Sequence, residues 1–173
     1  MKKARRNKKD ASKYIQIWGD YAKIELADGS FALIDAIDVP LVENELWCYA
    51  GKGYVLGSQG RPKLHRLIMT PADGLEVDHI NGNTRDNRRS NLRVCDHSEN
   101  MCNRKAQKAR GGKTVSCLLK GVYLLPSGRY GVQLSRNGTT KYVGSFSTAE
   151  EAAQVYDAEA RAQYGEFALV NYG

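Results

Sequence analysis

The sequence predicts an α+β protein. A β-rich N-terminal segment leads into a small mixed region, and a three-stranded antiparallel sheet packed on one helix follows. Short apolar runs separated by Gly, Asn and Asp turn residues indicate strands in both halves of the chain. Two segments begin with residues that typically cap helices. The 173 residues are 42% hydrophobic and 26% charged, which is typical of globular proteins and excludes a wholly disordered chain.

The charges fall into blocks along the chain. Residues 1–13 carry a net charge of +6, residues 14–60 carry −5, residues 61–110 carry +5 and residues 111–173 carry +1. Two basic blocks therefore flank an acidic block. A basic block is typical of a surface that binds a polyanion, most often nucleic acid. A solvated surface with a basic tail explains the same charges equally well.

The first region is predicted to begin with strands. Residues 1–13 are expected to be a disordered basic arm. Residues 14–18 and 31–34 are apolar runs that predict strands, with an Asp–Gly turn at 28–29. The stretch 42–47 fits a short helix or a strand.

The next segment predicts two strands between two helices. Its elements are a short helix at 63–69 that ends at Thr70–Pro71, a strand at 75–80, a polar loop at 81–90 and a strand at 91–95. A second helix begins near Asp96 or Ser98 and ends at Gly111–Gly112. We therefore predict one domain over residues 14–110, followed by a linker at 111–119.

The last region, 120–173, predicts three strands and a helix. Pro126–Gly128 and Asn137–Gly138 are turn signals that separate the three strands, and Asn–Gly is a strong hairpin signal. The helix begins at 147–149 with capping-box spacing and can end at Gly165. Apolar residues recur on one face at helical spacing: Ala149, Ala152, Ala153, Tyr156, Ala160 and Tyr164.

The apolar runs and the cysteines indicate the cellular compartment in which the protein is expected. No apolar run approaches the length of a membrane span, and no apolar stretch follows the basic N-terminus. We therefore expect a cytoplasmic protein without a membrane partner. The four cysteines, Cys48, Cys95, Cys102 and Cys117, form no C-x-x-C pair and are expected to be free thiols. The alternative is a zinc ion held by Cys95, His97, Cys102 and one distant ligand.

Residues 75–103 contain the candidate catalytic and metal-binding side chains. Asp78 and His79 lie together at the end of a predicted strand, and Asn100 lies in the first turn of the following helix. A strand, a return strand and a helix can bring these three side chains together. Carboxylate and amide oxygens suit Mg²⁺ or Mn²⁺, and a neutral histidine can accept a proton from an attacking water. The pattern is that of metal-assisted phosphodiester hydrolysis, although a polar hairpin with a surface histidine is the simpler reading of Asp–His alone.

The longer pattern resembles a known family. Residues 64–105 (LHRLIM…VDHINGN…DNRRSNLRV…SENMCNR) resemble the HNH endonucleases of the ββα-metal kind that are common in bacteriophages. The resemblance implies that His79 is the general base and that Asp78 and Asn100 bind the metal ion. It also implies that Asn91 ties the loop together by hydrogen bonds and orients the histidine.

The same resemblance implies contacts to DNA. His65, in the phrase His-Arg-Leu, is expected to support the site from below or to touch a phosphate. The arginines around the site are candidates for binding flanking phosphates: Arg66, Arg85, Arg88, Arg89, Arg93 and Arg104.

Residues 120–173 carry a second pattern, which includes Gly128-Arg129-Tyr130, Tyr142-Val143-Gly144 and the run TAEEAA at 148–153. This pattern resembles the plant ethylene-response-factor (Apetala-two) DNA-binding domain, in which three strands lie in the major groove with a helix behind them. Tyrosines stand here where the plant pattern has tryptophans. The candidate DNA contacts are Arg129, Gln133, Arg136, Lys141 and Tyr142. The alternative is a small structural or protein-binding sheet.

Together these patterns predict a metal-dependent endonuclease that cuts double-stranded DNA and is targeted by its C-terminal domain. We expect a nicking enzyme of the homing or mobile-element type, encoded by a phage and acting as a monomer in a bacterial cytoplasm. The expected cofactor is Mg²⁺ or Mn²⁺, with no small-molecule cofactor. The alternatives are a DNA-binding regulator with an inactive nuclease and a phage accessory protein.

Overall fold

The computed structural model describes residues 8–50, 53–58, 63–103 and 119–173. The chain divides into two compact units, Met1–Asp96 and His97–Gly173. This division falls before the helix that the sequence groups with the first domain, whereas the predicted boundary is at residue 110. Most of the predicted linker lies outside the described residues. Within the described part of the chain, none of the helices has the length and apolar character needed to cross a membrane.

The described part of the first unit consists of short strands, two short α-helices and short 3-10 helices. Its described strands are β1 (Ile15–Trp18), β2 (Tyr21–Glu25), β3 (Phe31–Asp35), β4 (Trp47–Ala50), β5 (Tyr54–Gly57), β6 (Glu76–His79) and β7 (Leu92–Cys95). Its α-helices are α1 (Val39–Val42) and α2 (Leu64–Met69). All the strand pairs are antiparallel: β1–β2–β3 form one sheet, and β4–β5 and β6–β7 form two hairpins.

One apolar core joins these elements. Alternate residues of β2 and β3, such as Ile24 and Ile34, are fully buried on one face of the first sheet. They share a cluster with Leu64 of α2, Val77 of β6 and Leu92 of β7. Because the β6–β7 hairpin is too small to bury a core of its own, this shared cluster is what fixes its position.

The structure corrects two sequence predictions in this unit. Residues 8–14 form a 3-10 helix, and Ala11 within it is only 2% exposed, so the disordered arm predicted for residues 1–13 is wrong for residues 8–13. The predicted single helix or strand over 42–47 is wrong: α1 ends at Val42, residues 43–46 form a turn, and β4 begins at Trp47. The Trp47 indole N–H donates to the Val42 carbonyl at 3.1 Å, which closes this turn.

The second unit has the predicted order of three strands and a helix. It contains α3 (His97–Cys102), β8 (Val122–Leu124), β9 (Tyr130–Arg136), β10 (Thr139–Phe146) and α4 (Ala149–Tyr164). The sheet order is β10–β9–β8, antiparallel throughout, with a register shift between Tyr142 and Gly144. The predicted continuation of α3 to residue 111 lies outside the described residues.

Local chemistry explains the boundaries of these elements. Asn137 and Gly138 both have positive φ, 51° and 76°, which is what a tight hairpin of this hand requires. Thr148 caps α4 by accepting a hydrogen bond from the Glu151 amide at 3.1 Å. The α+β class predicted from the sequence is confirmed.

The face of α4 that packs on the sheet is also close to the predicted one. Ala152, Ala153 and Ala160 are fully buried and share a core with Val132 and Leu134 of β9. Small side chains let the helix lie close to the strands. Ala149 is only partly buried, and Asp157, which the apolar pattern omits, is buried instead.

Asp157 is buried because it binds the C-terminal segment. Its carboxylate, 2% exposed, accepts hydrogen bonds from the backbone amides of Asn171 and Tyr172 at 2.7 and 2.8 Å. The Asn171 side chain in turn accepts from the Lys120 amide at 2.6 Å. The end of the chain is therefore tied to the start of the sheet.

Candidate active site

The β6–β7 hairpin carries two of the predicted catalytic residues, Asp78 and His79. In its register Asp78 lies opposite Arg93, and His79 lies opposite Leu92. Asp78 is 9% exposed and His79 only 4%, so both polar side chains are buried at the end of β6. The loop 80–91 then returns the chain to β7.

The His79 ring is held by Asn87 of this loop. The His79 Nε2 atom and the Asn87 Oδ1 atom are 3.2 Å apart. The Asn87 Nδ2 group donates to the Thr84 carbonyl at 3.3 Å, which turns its Oδ1 atom toward the histidine. Nε2 is therefore the protonated nitrogen, and Nδ1 carries the lone pair. Asn87 is itself fixed, because it is fully buried and its backbone amide donates to the Leu33 carbonyl at 2.7 Å.

Burial sets the protonation state of His79. Desolvation lowers the pKa of His79 below its ordinary value of 6.5, and the hydrogen bond to Asn87 and the charge of Asp78 oppose this shift only in part. The imidazole is therefore neutral at neutral pH. A neutral imidazole with one fixed tautomer has the form that a general base needs.

Asn91 closes the loop between the two strands. Its Oδ1 atom accepts from the Asn81 amide at 2.9 Å, and its Nδ2 group donates to the Asp86 carbonyl at 2.7 Å. Its own carbonyl accepts from the Ile80 amide at 2.9 Å. These three bonds tie the loop in the way that the resemblance implies for Asn91. The same resemblance also assigns the orientation of His79 to Asn91, but the residue bonded to the ring is Asn87.

Two further rings lie beside His79. The His65 ring of α2 is 5.0 Å from the His79 ring and nearly perpendicular to it, and the Tyr54 ring is 5.1 Å from the His65 ring. His65 is 3% exposed, and its Nδ1 atom has no hydrogen-bond partner among the described residues. Desolvation lowers the pKa of His65 to about 3, with smaller effects of the charges of His79 and Lys63. His65 therefore carries no charge at neutral pH and cannot attract a phosphate as a cation.

Asp78 is oriented by Arg93. The Nε and Nη2 groups of Arg93 both donate to the Asp78 Oδ2 atom, at 3.0 and 2.8 Å. Both side chains are about 90% buried, and the two hydrogen bonds from Arg93 fix the orientation of the Asp78 side chain. Oxygen ligands of this kind, fixed next to the candidate base, fit a hard cation such as Mg²⁺ or Mn²⁺.

The other predicted ligand is in the second unit. Asn100 lies on α3 and is partly buried. Its meeting with Asp78 and His79 stays a prediction. No group of three or more His, Cys, Asp or Glu side chains suited to an ion occurs among the described residues. The zinc alternative with Cys95, His97 and Cys102 therefore has no support there.

Most of the candidate phosphate-binding arginines of the first unit have acceptors within the protein. Arg88 binds Asp86 through two hydrogen bonds of 2.8 Å, and Arg89 binds the buried Asp38 at 2.7 Å. Arg66 donates to the Leu75 carbonyl at 2.9 Å, and Arg93 is paired with Asp78. Arg85 instead stacks on Tyr49, with 4.0 Å between the guanidinium carbon and the ring centre. Arg104 lies outside the described residues.

In the C-terminal unit, the strand register shows which candidate DNA contacts lie on the open face of the sheet and which turn toward α4. Gln133 lies opposite Tyr142 on the face that α4 does not cover, and both are exposed. Arg129 reaches Ser145 on the same face, with 2.7 Å from its Nη2 group to the Ser145 carbonyl.

The other two candidates turn toward α4. Lys141 lies opposite the buried Leu134 and pairs with Glu159 of α4 at 3.2 Å. Arg136 donates to the Gln163 carbonyl of α4 at 2.6 Å. The open face therefore carries only three of the five predicted contacts.

The sequence patterns predict no role for Asn87 or Tyr54. Asn87 stands in the run Asp86–Asn87, which is part of the motif, but its spacing from His79 does not reveal that it binds the ring. Tyr54 comes from the β4–β5 hairpin, 25 positions before the histidine in the sequence. Only the folded chain brings it near.

Comparison with known proteins gives two findings. A family model described as HNH endonuclease matches residues 63–102, which include α2, the β6–β7 hairpin and α3. The chain is also 32% identical over 151 residues to an uncharacterized HNH endonuclease of Acanthamoeba polyphaga mimivirus, a match that covers 83% of this chain and 75% of that protein. Because the first unit holds 96 residues, a match of this length includes parts of both units.

Proposed function

This chain belongs to the HNH endonuclease family, and we propose that it is a metal-dependent endonuclease that hydrolyses phosphodiesters in double-stranded DNA. The single observation that carries the proposal is the state of His79. Its ring is buried, neutral and held through Nε2 by Asn87, directly beside the fixed carboxylate of Asp78.

The chemical step follows from this geometry. A water molecule attacks the phosphorus and transfers a proton to the Nδ1 lone pair of His79 as its oxygen bonds to phosphorus. The bond to the leaving sugar oxygen breaks, and that oxygen takes a proton from solvent. The products are a phosphate monoester and a hydroxyl group, and the proton held by His79 returns to solvent.

The positioning of His79 depends on its neighbours. Because the Asn87 Oδ1 atom accepts a hydrogen bond from the Nε2–H group of His79, the ring presents its unprotonated nitrogen, Nδ1, to the water. Asn91 holds the loop that carries Asn87. The rings of His65 and Tyr54 exclude water from the far side of His79, which keeps its pKa low.

Asp78 and Asn100 are the residues that would hold the metal ion. A bound Mg²⁺ or Mn²⁺ would supply positive charge to the scissile phosphate and to the leaving oxygen. Arg93 holds Asp78 in one orientation, as the partner of a metal ligand does. Two protein ligands leave positions for phosphate and water oxygens, which Mg²⁺ prefers.

We propose that the second unit binds DNA through its open sheet face, as the likeness to the Apetala-two domain implies. Arg129, Gln133 and Tyr142 support this assignment, since all three lie on the face that α4 leaves uncovered. A second DNA contact raises the local concentration of the nuclease at its site. A phage-encoded nicking enzyme of the homing or mobile-element type, acting as a monomer in a bacterial cytoplasm, fits this arrangement.

Relaxation of supercoiled plasmid tests the nuclease. We expect purified protein to convert the plasmid to open circles with Mg²⁺ or Mn²⁺ and to leave it intact with EDTA. Nicking that is equally fast in EDTA would refute the metal dependence. Unbroken plasmid with every metal, with DNA binding intact, would indicate a binding protein with an inactive nuclease.

Substitutions on the second sheet test the targeting role. We expect Gln133→Ala combined with Tyr142→Ala to weaken binding to a DNA duplex about 10-fold or more, since each base contact contributes about 1–3 kcal/mol. Arg161→Ala is the control, because Arg161 is an exposed residue of α4 bonded to the Tyr172 carbonyl at 2.9 Å. Equal affinities of the double variant and the control would refute DNA binding by this face.

A further inference from the structure

The arginines of the first unit differ in what their guanidinium groups touch. Arg66, Arg88, Arg89 and Arg93 each donate to a carboxylate or a carbonyl of the protein. Breaking such contacts to bind a phosphate would leave those acceptors unpaired, and for Arg88, Arg89 and Arg93 the carboxylates concerned are buried. These four arginines therefore stabilise the fold.

Arg85 has a different environment. Its guanidinium lies over the Tyr49 ring, and within the described residues its side chain makes no hydrogen bond or close ion pair, with only a weaker electrostatic attraction to the exposed Asp28 carboxylate. The Nε atom of Arg85 is buried without an acceptor. A stacked guanidinium keeps its charge and its forked donors while the ring restricts its rotation.

The backbone around Arg85 is fixed as well. Its carbonyl accepts from the Leu33 amide at 2.8 Å, which ties the loop to β3. The Thr84 hydroxyl bonds to the hydroxyl of Tyr49 at 3.2 Å, so the stacking ring is anchored to the same loop. Asn87, which holds His79, is only two residues further along. The position of Arg85 is therefore coupled to that of the candidate base.

We propose that Arg85 is a preorganised phosphate-binding residue of this enzyme, held on Tyr49 to receive a DNA backbone phosphate beside the scissile bond. The proposal rests on the proposed DNA endonuclease function. Arg85 has the three properties that the site requires: a permanent charge, unused forked donors and little rotational freedom to lose. The salt bridges of Arg88 and Arg89 place them outside this role.

The test is the salt dependence of binding to a fluorescein-labelled DNA duplex, measured by anisotropy in EDTA so that no cleavage occurs. Each neutralised phosphate contributes about −0.9 to the slope of log K against log salt. We expect Arg85→Ala to reduce the slope by about that amount. From about 50 to 200 mM salt the wild type then loses about 3-fold more affinity than the variant.

The matched control is Lys23→Ala. Lys23 is also a cation on an aromatic ring of the first unit, 5.1 Å from the centre of Trp18, but it lies on the outer face of the β1–β3 sheet in the acidic block. We expect this variant to keep the wild-type slope. Arg85→Lys should keep the slope but bind less tightly, because lysine has the charge without the fork.

The outcomes are distinguishable. An unchanged slope in Arg85→Ala, with salt-dependent binding by the wild type, would overturn the role of Arg85 and leave the endonuclease proposal intact. Absence of duplex binding by the wild type would overturn both. If Arg85→Ala shows no cooperative thermal unfolding, the variant is not folded, and Arg85→Gln is measured in its place. Glutamine removes the charge but keeps a polar side chain against the Tyr49 ring.

Discussion

His65 gives a prediction about stability that follows from its burial. The ring is 3% exposed, and desolvation lowers its pKa to about 3 from the ordinary value of 6.5. The unfolded chain therefore binds a proton at this residue below about pH 6.5, and the folded protein does not. The stability associated with the neutral ring is complete above pH 6.5 and is lost as the pH falls toward the folded pKa.

The size of the effect follows from the two pKa values. Each pH unit between them costs about 1.4 kcal/mol. On lowering the pH from about 7.5 to about 5, wild-type protein should lose about 2 kcal/mol of unfolding free energy through His65 alone. His65→Leu removes the titrating group and fills a similar volume, so this variant should lose about 2 kcal/mol less over the same interval.

Urea unfolding at the two pH values measures the difference. Leucine also removes the unpartnered Nδ1 atom, so we expect His65→Leu to be at least as stable as the wild type at neutral pH. The difference between the two proteins reports the titration of His65 together with any change that it causes at His79, whose ring lies 5.0 Å away. Equal losses of unfolding free energy in the two proteins would refute the burial argument.

Three further predictions concern the site and the second unit. Asn87→Leu should lower the cleavage rate about 10- to 100-fold at unchanged DNA affinity, because the general base loses its fixed tautomer; an unchanged rate would contradict this. Asp78→Asn should weaken Mn²⁺ binding in calorimetry by about 10-fold or more, and equal dissociation constants would remove Asp78 from the metal site. Gly121→Ala should abolish or strongly lower the melting transition of the second unit, because a Cβ there would lie 2.1 Å from the Tyr156 ring at a φ of +71°. Gly128→Ala, with a φ of +79° and nothing within 4 Å, should cost only about 1–2 kcal/mol, and similar melting temperatures of the two variants would contradict the packing argument.

The parts of the fold that local sequence determines could be predicted. The hairpin at Asn137–Gly138 and the helix capped by Thr148 follow from backbone preferences of a few adjacent residues. The β6–β7 hairpin with Asp78 and His79 follows from two apolar runs around a polar loop. In each case the determining contacts are close in sequence.

Contacts between distant segments could not be predicted. Arg89 pairs with Asp38, which lies 51 positions away in the sequence. The sequence around Arg89 does not show that this arginine stabilises the fold, because its partner is so distant. Residues 8–14 form a helix because Ala11 is buried by the folded unit, which a count of lysines cannot reveal. Lys141 turns toward α4 because it pairs with the buried Leu134 in the strand register. That register contains a shift between Tyr142 and Gly144, which simple alternation along the strand does not predict.

The central claim is that His79 is the general base, and chemical rescue tests it most directly. The measurement is the rate of plasmid nicking by His79→Ala with Mg²⁺, in the absence and presence of imidazole, beside its affinity for duplex DNA. We expect a loss of about 100-fold or more in rate, partial recovery with added imidazole, and unchanged affinity. Nicking at the wild-type rate, or a loss of rate matched by an equal loss of DNA binding, would contradict the assignment.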